Sequence, residues 1–147
     1  MNTLLEKSWT NQRISSTRKF LSRVLTYRLS RELSHAKYDV VYEGNIDRAD
    51  PSSEQPDVLI YSSENNFLPL DAIEICETSS LPEMKVAGKY LVDRYNLKEF
   101  FIFDYKRSEW YRLVDGATDF TRDSYSPLFK IRLSGLTGVF RMLPGNS

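Results

Sequence analysis

The sequence predicts an α/β fold: a mixed β-sheet with helices on its faces. Three observations predict it. First, Leu21, Val24, Leu25, Leu29 and Leu33 form an i, i+3, i+4 stripe through a stretch without Gly or Pro. Second, the short runs YDVVY, VLIY, AIEIC, FFIF and WYRLV are rich in β-branched and aromatic residues and are separated by turn-forming segments. Third, a helical segment lies between AIEIC and FFIF. A strand–helix–strand unit of this length pairs its strands in parallel with a right-handed crossover. The layered product is an α/β sandwich.

The elements follow in order. A helix over 15–36 starts at Ser15, Ser16 or Thr17, any of which can cap it. A strand over 38–42 precedes EGNIDRADPSSEQ, a cluster of Gly, Asn, Asp and Pro without apolar period that reads as a turn region. A second strand covers 58–61, SSENNFLP is a loop, and a third strand covers 72–76. That third run is apolar on both faces, as a central strand covered on both sides should be. SSLPEMKVAGKYLVDRYN reads as a helix, with Ser79 or Ser80 as cap and Pro82 in its first turn. Strands over 100–103 and 110–114 follow, then a polar stretch over 115–127, a last strand over 129–133 and a short helix over 136–142. No internal repeat or linker interrupts the 147 residues, which suffice for one domain with a real core.

Composition narrows the function classes. Hydrophobic residues make up 41% of the chain and aromatics 13%, a globular rather than disordered balance. No apolar run approaches membrane-spanning length. MNTLLEKSWTNQR lacks the apolar core of a secretory signal. The single cysteine, Cys76, cannot form an internal disulfide and fits a reducing cytoplasm, so a cytoplasmic location without membrane contact is expected.

The net charge of zero hides an asymmetry. Residues 1–38 carry eight Lys and Arg against two Glu, 8 − 2 = +6, whereas residues 39–77 carry one Arg against ten acids, 1 − 10 = −9. A phosphate-binding surface beside a metal site has this pattern, and so has a solvated basic helix beside an acidic sheet edge. On the first reading Arg18, Lys19, Arg23 and Arg28 grip nucleic-acid phosphates.

Two acids stand out. Asp57 follows Pro56 at the head of one strand, and Glu74 lies between Ile73 and Ile75 inside the next, 74 − 57 = 17 residues on. If the two strands pair as an antiparallel hairpin, both carboxylates meet at one sheet edge. Like charges held together call for a cation or a raised pKa. Oxygen ligands of this kind suit Mg²⁺ or Mn²⁺, with a backbone carbonyl of Ile75 or Cys76 available to the same ion. Such an ion binds a phosphodiester, lowers the pKa of a bound water and stabilises the transition state. A nearby lysine would orient the water. None stands two positions after Glu74, where Cys76 sits, but Lys85 and Lys89 are four apart on the following helix and share a face.

PDVLIY, DAIEIC, the lysine-bearing helix, EFFIFD and the tail SPLFKIRLSGLTGVFRML, in that order, resemble the PD-(D/E)XK nuclease superfamily. More narrowly they resemble the short restriction-endonuclease-like proteins abundant in cyanobacteria, over about residues 38–143. The resemblance implies a restriction-endonuclease-like mixed sheet and a metal-dependent endonuclease. Asp57 and Glu74 would be both metal ligands and catalytic residues, and Lys89, or Lys85 one turn earlier, would be the catalytic lysine. Glu32 resembles the extra acid that many such nucleases carry on the first helix; a surface glutamate is the plainer reading.

Three functions are thus expected in turn. The first is a Mg²⁺- or Mn²⁺-dependent hydrolase of nucleic acid, DNA ahead of RNA. The second is a nuclease fold that no longer cuts and serves as a binding or assembly module. The third is a nucleic-acid-processing subunit that depends on a partner. A homodimer suits a nuclease of this fold type, since two strands need cutting.

Overall fold

The computed structural model describes residues 16–138. Helix α1 (Ser16–Glu32) leads into strands β1 (Tyr38–Tyr42), β2 (Val58–Ser62) and β3 (Pro69–Cys76). A 3₁₀ turn at Thr78–Ser80 opens helix α2 (Leu81–Tyr95), followed by β4 (Glu99–Asp104) and β5 (Glu109–Val114). Two short strands, β6 (Tyr125–Ser126) and β7 (Ile131–Arg132), and the turn of helix α3 (Ser134–Thr137) complete the described chain.

The main sheet has the order β1-β2-β3-β4-β5. Strands β1, β2 and β3 are an antiparallel meander, β3 and β4 run parallel, and β5 returns antiparallel. The sheet is therefore mixed, with α2 as the crossover between its parallel pair and β3 at its centre. The expected α/β architecture, the hairpin and the crossover are all present.

Each face has its own core. Leu21, Leu25, Leu29 and Leu33, on and just after α1, pack on Val58, Ile60, Ile73, Ile75, Phe101 and Phe103. Met84, Ala87, Leu91 and Val92 of α2 pack on Leu59, Tyr61, Ala72, Phe100, Ile102 and Leu113. Successive strand residues point to opposite faces, which is why β2, β3 and β4 carry apolar residues on both faces. Burying each such Leu, Ile or Phe contributes roughly 1.5–3 kcal/mol. Gly88 lets α2 lie close to the sheet: a Cβ there would come within 2.7 Å of the Phe100 ring and 2.9 Å of Phe120.

Several boundaries differ from the sequence reading. Helix α1 ends at Glu32 rather than 36, because the amides of Lys37 and Tyr38 both donate to the Ser34 carbonyl, at 3.1 and 2.9 Å, and turn the chain into β1. Strand β3 starts at Pro69 rather than 72, with a register irregularity between Ile60 and Tyr61 opposite. A proline is tolerated at the first residue of a strand. The expected strand over 129–133 is instead the two-residue ladder of β6 with β7. Helix α2 ends at Tyr95, capped by Asn96 in the left-handed region with φ of 55°. Ser15 as a cap and residues 139–142 of the expected last helix lie outside the described residues. Among the described residues no helix is long and apolar enough to cross a membrane.

Candidate functional site

The β2–β3 register pairs Val58 with Ile73, so Asp57 and Glu74 lie one step further along, at the end of the hairpin away from its loop. The two acids meet there. The Asp57 amide donates to Glu74 Oε1 at 2.5 Å, and the Ile75 amide donates to Asp57 Oδ2 at 2.8 Å. The cation between them is Arg18, from the first turn of α1. Its Nε donates to Asp57 Oδ2 at 2.6 Å and its Nη2 to Glu74 Oε2 at 2.7 Å. Arg18 is 2% exposed, Asp57 6% and Glu74 0%. The Arg18 carbonyl in turn accepts from Ser22 Oγ at 2.8 Å.

One guanidinium faces two carboxylates, so one negative charge is left over. Burial opposes the charge on Arg18, but Glu74 and Asp57 outweigh it and raise its pKa further. Burial also raises the Asp57 pKa, against the pull of Arg18 and the Ile75 amide, with Glu43 adding to the rise. Glu74 is raised furthest, by burial first and the Asp57 charge second. The arginine neutralises one acid. The other is balanced by a proton, or by a second cation if one enters.

Two carboxylates are all the donors the pair offers. Among the described residues no group of three or more His, Cys, Asp or Glu side chains is arranged around a common metal position. Mg²⁺ is held through one or two carboxylates, completed by waters and substrate phosphate oxygens. The donor set fits such an ion, with Arg18 as its competitor.

A second acid pair lies on the same strand. Asp71 stands opposite Glu99 across the parallel β3–β4 ladder, and both are buried. Glu99 accepts from Ser126 Oγ at 2.6 Å and from the Leu128 amide at 3.1 Å. Burial raises the Asp71 pKa well above the usual carboxylate range, and the neighbouring Glu99 raises it further. Burial thus favours the proton on Asp71, and the Glu99 contacts fasten the 124–128 segment to the sheet.

The other candidate residues lie elsewhere, and two sets of them need correcting. Lys89 and Lys85 do not face the acid pair. Lys89 pairs with the exposed Asp119 at 3.3 Å, and Lys85 Nζ lies 4.6 Å from the centre of the Tyr111 ring. Tyr111 is in the cross-sheet row of Glu74 but two strands away, through Ile102, or about 10 Å. The helix turns that lysine face toward the β5 edge because Met84, Ala87, Leu91 and Val92 fill its sheet-facing side. Glu32 is exposed at the far end of α1, 32 − 18 = 14 residues or about 21 Å along the axis from Arg18, so the structure does not bring it to the pair.

Of the expected phosphate-gripping residues, Lys19 and Arg23 are exposed, while Arg28 donates to the Leu136 carbonyl at 2.5 Å. Arg18 is buried against the acids rather than presented to solvent. Its role is readable in part, since the buried α1 stripe of Leu29, Leu25 and Ser22, continued one turn back, lands on Arg18. Cys76 is buried, and burial with the nearby Asp104 pushes its thiol pKa up, so it is no nucleophile.

No protein-family model matches the chain, and no curated protein matches it. Its fold is shared with a solved structure from Anabaena variabilis described as a "putative nuclease belonging to DUF820". The two superpose with a TM-score of 0.53 at 13% identity, over 82% of this chain and 78% of the other. The likeness is one of fold.

Proposed function

We propose that this chain hydrolyses nucleic-acid phosphodiester bonds, DNA first, with Mg²⁺ or Mn²⁺ taken by Asp57 and Glu74. One observation carries the reading: two carboxylates from neighbouring strands converge, buried, on a single cation position in a nuclease-like fold. A bound divalent ion would lower the pKa of a water and draw charge from the scissile phosphate. The residues divide the remaining work. Asp57 and Glu74 hold and orient the ion. Arg18 balances one of the two charges without it, and its guanidinium is the cation nearest to a phosphate drawn to the pair. The duty expected of a helix lysine thus falls to Arg18. An arginine does not give up its proton, so Arg18 stabilises charge and is not a base.

A second reading is favoured by the same contacts. Arg18 already engages both acids at 2.6 and 2.7 Å, which suits a nuclease-like fold that binds without cutting. Cleavage of plasmid and of single strands, with Mg²⁺, Mn²⁺ or chelator, separates the two. Metal-stimulated cleavage lost in both Asp57→Ala and Glu74→Ala supports the enzyme. Unchanged cleavage in those variants, or none in the parent chain, rejects it.

A further inference from the structure

We propose that the solvent face of α1, with Tyr42 beside it, is a track for single-stranded nucleic acid that leads to the Asp57–Glu74 pair. The inference rests on the hydrolase reading and specifies its substrate class.

Charge comes first. Residues 16–31 contain five cations, Arg18, Lys19, Arg23, Arg28 and Arg31, and no acid. At 100° per residue, Lys19, Phe20, Arg23, Tyr27 and Arg31 fall within about a third of the helix circumference. All five are exposed, and the apolar stripe occupies the opposite side. Every charged side chain along this face is positive.

The aromatics make it more than a basic helix. Phe20 is 50% exposed, Tyr27 62% and Tyr42 46%. A solvated helix has no need to show rings of this size to water, and here they interleave with cations. The Arg23 guanidinium lies 5.6 Å from the centre of the Tyr42 ring, and that of Arg31 lies 5.7 Å from the centre of Tyr27. Each arginine is held beside a ring by cation–π attraction. Cation and ring together are the two components of single-strand recognition: charge follows the phosphates, and π-faces stack the splayed bases. A duplex hides its base faces and would use only the cations.

Position ties the track to the acids. Tyr42 is in register with Val58, the residue after Asp57, and the Glu43 amide donates to the Asp57 carbonyl at 3.1 Å. Lys19 directly follows Arg18. The track therefore begins beside the pair and runs about 18 Å along α1 to Arg31. Glu43 borders it only at the acid-pair end, where a phosphate would meet the cation site.

Fluorescence anisotropy with labelled single-stranded DNA, single-stranded RNA and duplex DNA, all in chelator, tests the proposal without any cleavage. Single strands should bind more tightly than duplex of the same sequence, with the two single-strand arms telling DNA from RNA. Tyr27→Ala and Tyr42→Ala should each weaken binding about tenfold, the value of losing one stacked base. Arg23→Ala should reduce the salt slope of binding by about 0.7. All three sites are on the surface, so unchanged thermal midpoints confirm folded variants. Duplex bound as tightly as single strands, no loss in the tyrosine variants, no binding at all, or a face that instead holds a second copy of the chain would each overturn it. Binding in chelator without cleavage in Mg²⁺ would leave the track standing and remove the hydrolase. Cleavage indifferent to Tyr27→Ala and Tyr42→Ala would do the reverse.

Discussion

Strand β3 carries two buried acids three residues apart, and each meets a second acid on a neighbouring strand. Glu74 meets Asp57 across the antiparallel hairpin, and Asp71 meets Glu99 across the parallel ladder. The surroundings differ. The first pair has a guanidinium shared between its members, and the second has a hydroxyl, an amide and its own proton. Leaving a buried charge uncompensated costs several kcal/mol, so each pair needs a partner. The Asp71–Glu99 pair has no cation beside it among the described contacts, and the Ser126 hydroxyl and Leu128 amide on Glu99 make it a fastening. At the Asp57–Glu74 pair Arg18 balances one acid while burial favours a proton on Glu74, and a pair that already holds a cation can exchange it for another. The difference marks one as a candidate site and the other as structure.

Removing the cation should have the largest effect. Arg18→Met leaves two buried carboxylates without a counterion and should cost about 3–5 kcal/mol at neutral pH. Urea unfolding measures it, and the loss should shrink in acid as the acids take up protons. A loss independent of pH would mean that Arg18 serves by packing alone.

The pH dependence of the parent chain comes next. Glu74 and Asp71 both bind a proton more tightly folded than unfolded. The stability they contribute is full below the ordinary carboxylate range and falls as pH rises through their raised folded values. Mn²⁺ should oppose that fall at the Asp57–Glu74 pair and leave the Asp71 part untouched. Asp71→Asn, which donates to Glu99 at every pH, should remove the Asp71 part and flatten the alkaline side of the profile. Urea midpoints across pH, with and without Mn²⁺, read both effects.

Glu74→Gln should cost less than Arg18→Met, below about 2 kcal/mol, because Arg18 and Asp57 then balance one to one. The smallest effect belongs to Lys89→Ala. Its ion pair with Asp119 is exposed and screened by solvent, so stability and cleavage should both hold. A marked fall in cleavage would return that lysine to the site.

The fold is most legible in the sequence where neighbours along the chain decide the structure. VLIY, AIEIC and FFIF announce buried strands by composition, and the helix between the last two dictates their parallel pairing. The convergence of Asp57 and Glu74 follows from that hairpin. Arg18 is harder to find, since it lies 39 residues from Asp57 and 56 from Glu74, and no local pattern links them. The helix lysines mislead because their spacing defines a common face but not the direction in which it points. The packing of Met84, Ala87, Leu91 and Val92 decides that direction. The Asp71–Glu99 pair depends on parallel register and on a strand whose start at Pro69 is masked by proline.

On the proposed reading Asp57 and Glu74 form one place for a cation, which Arg18 occupies until a divalent ion enters. Isothermal titration of the folded chain with Mn²⁺, beside the Asp57→Asn/Glu74→Gln double variant, tests it most directly. The parent should show one saturable site per chain and the double variant none. Heat that survives the double substitution, or no heat in the parent at any pH where the chain is folded, would contradict it.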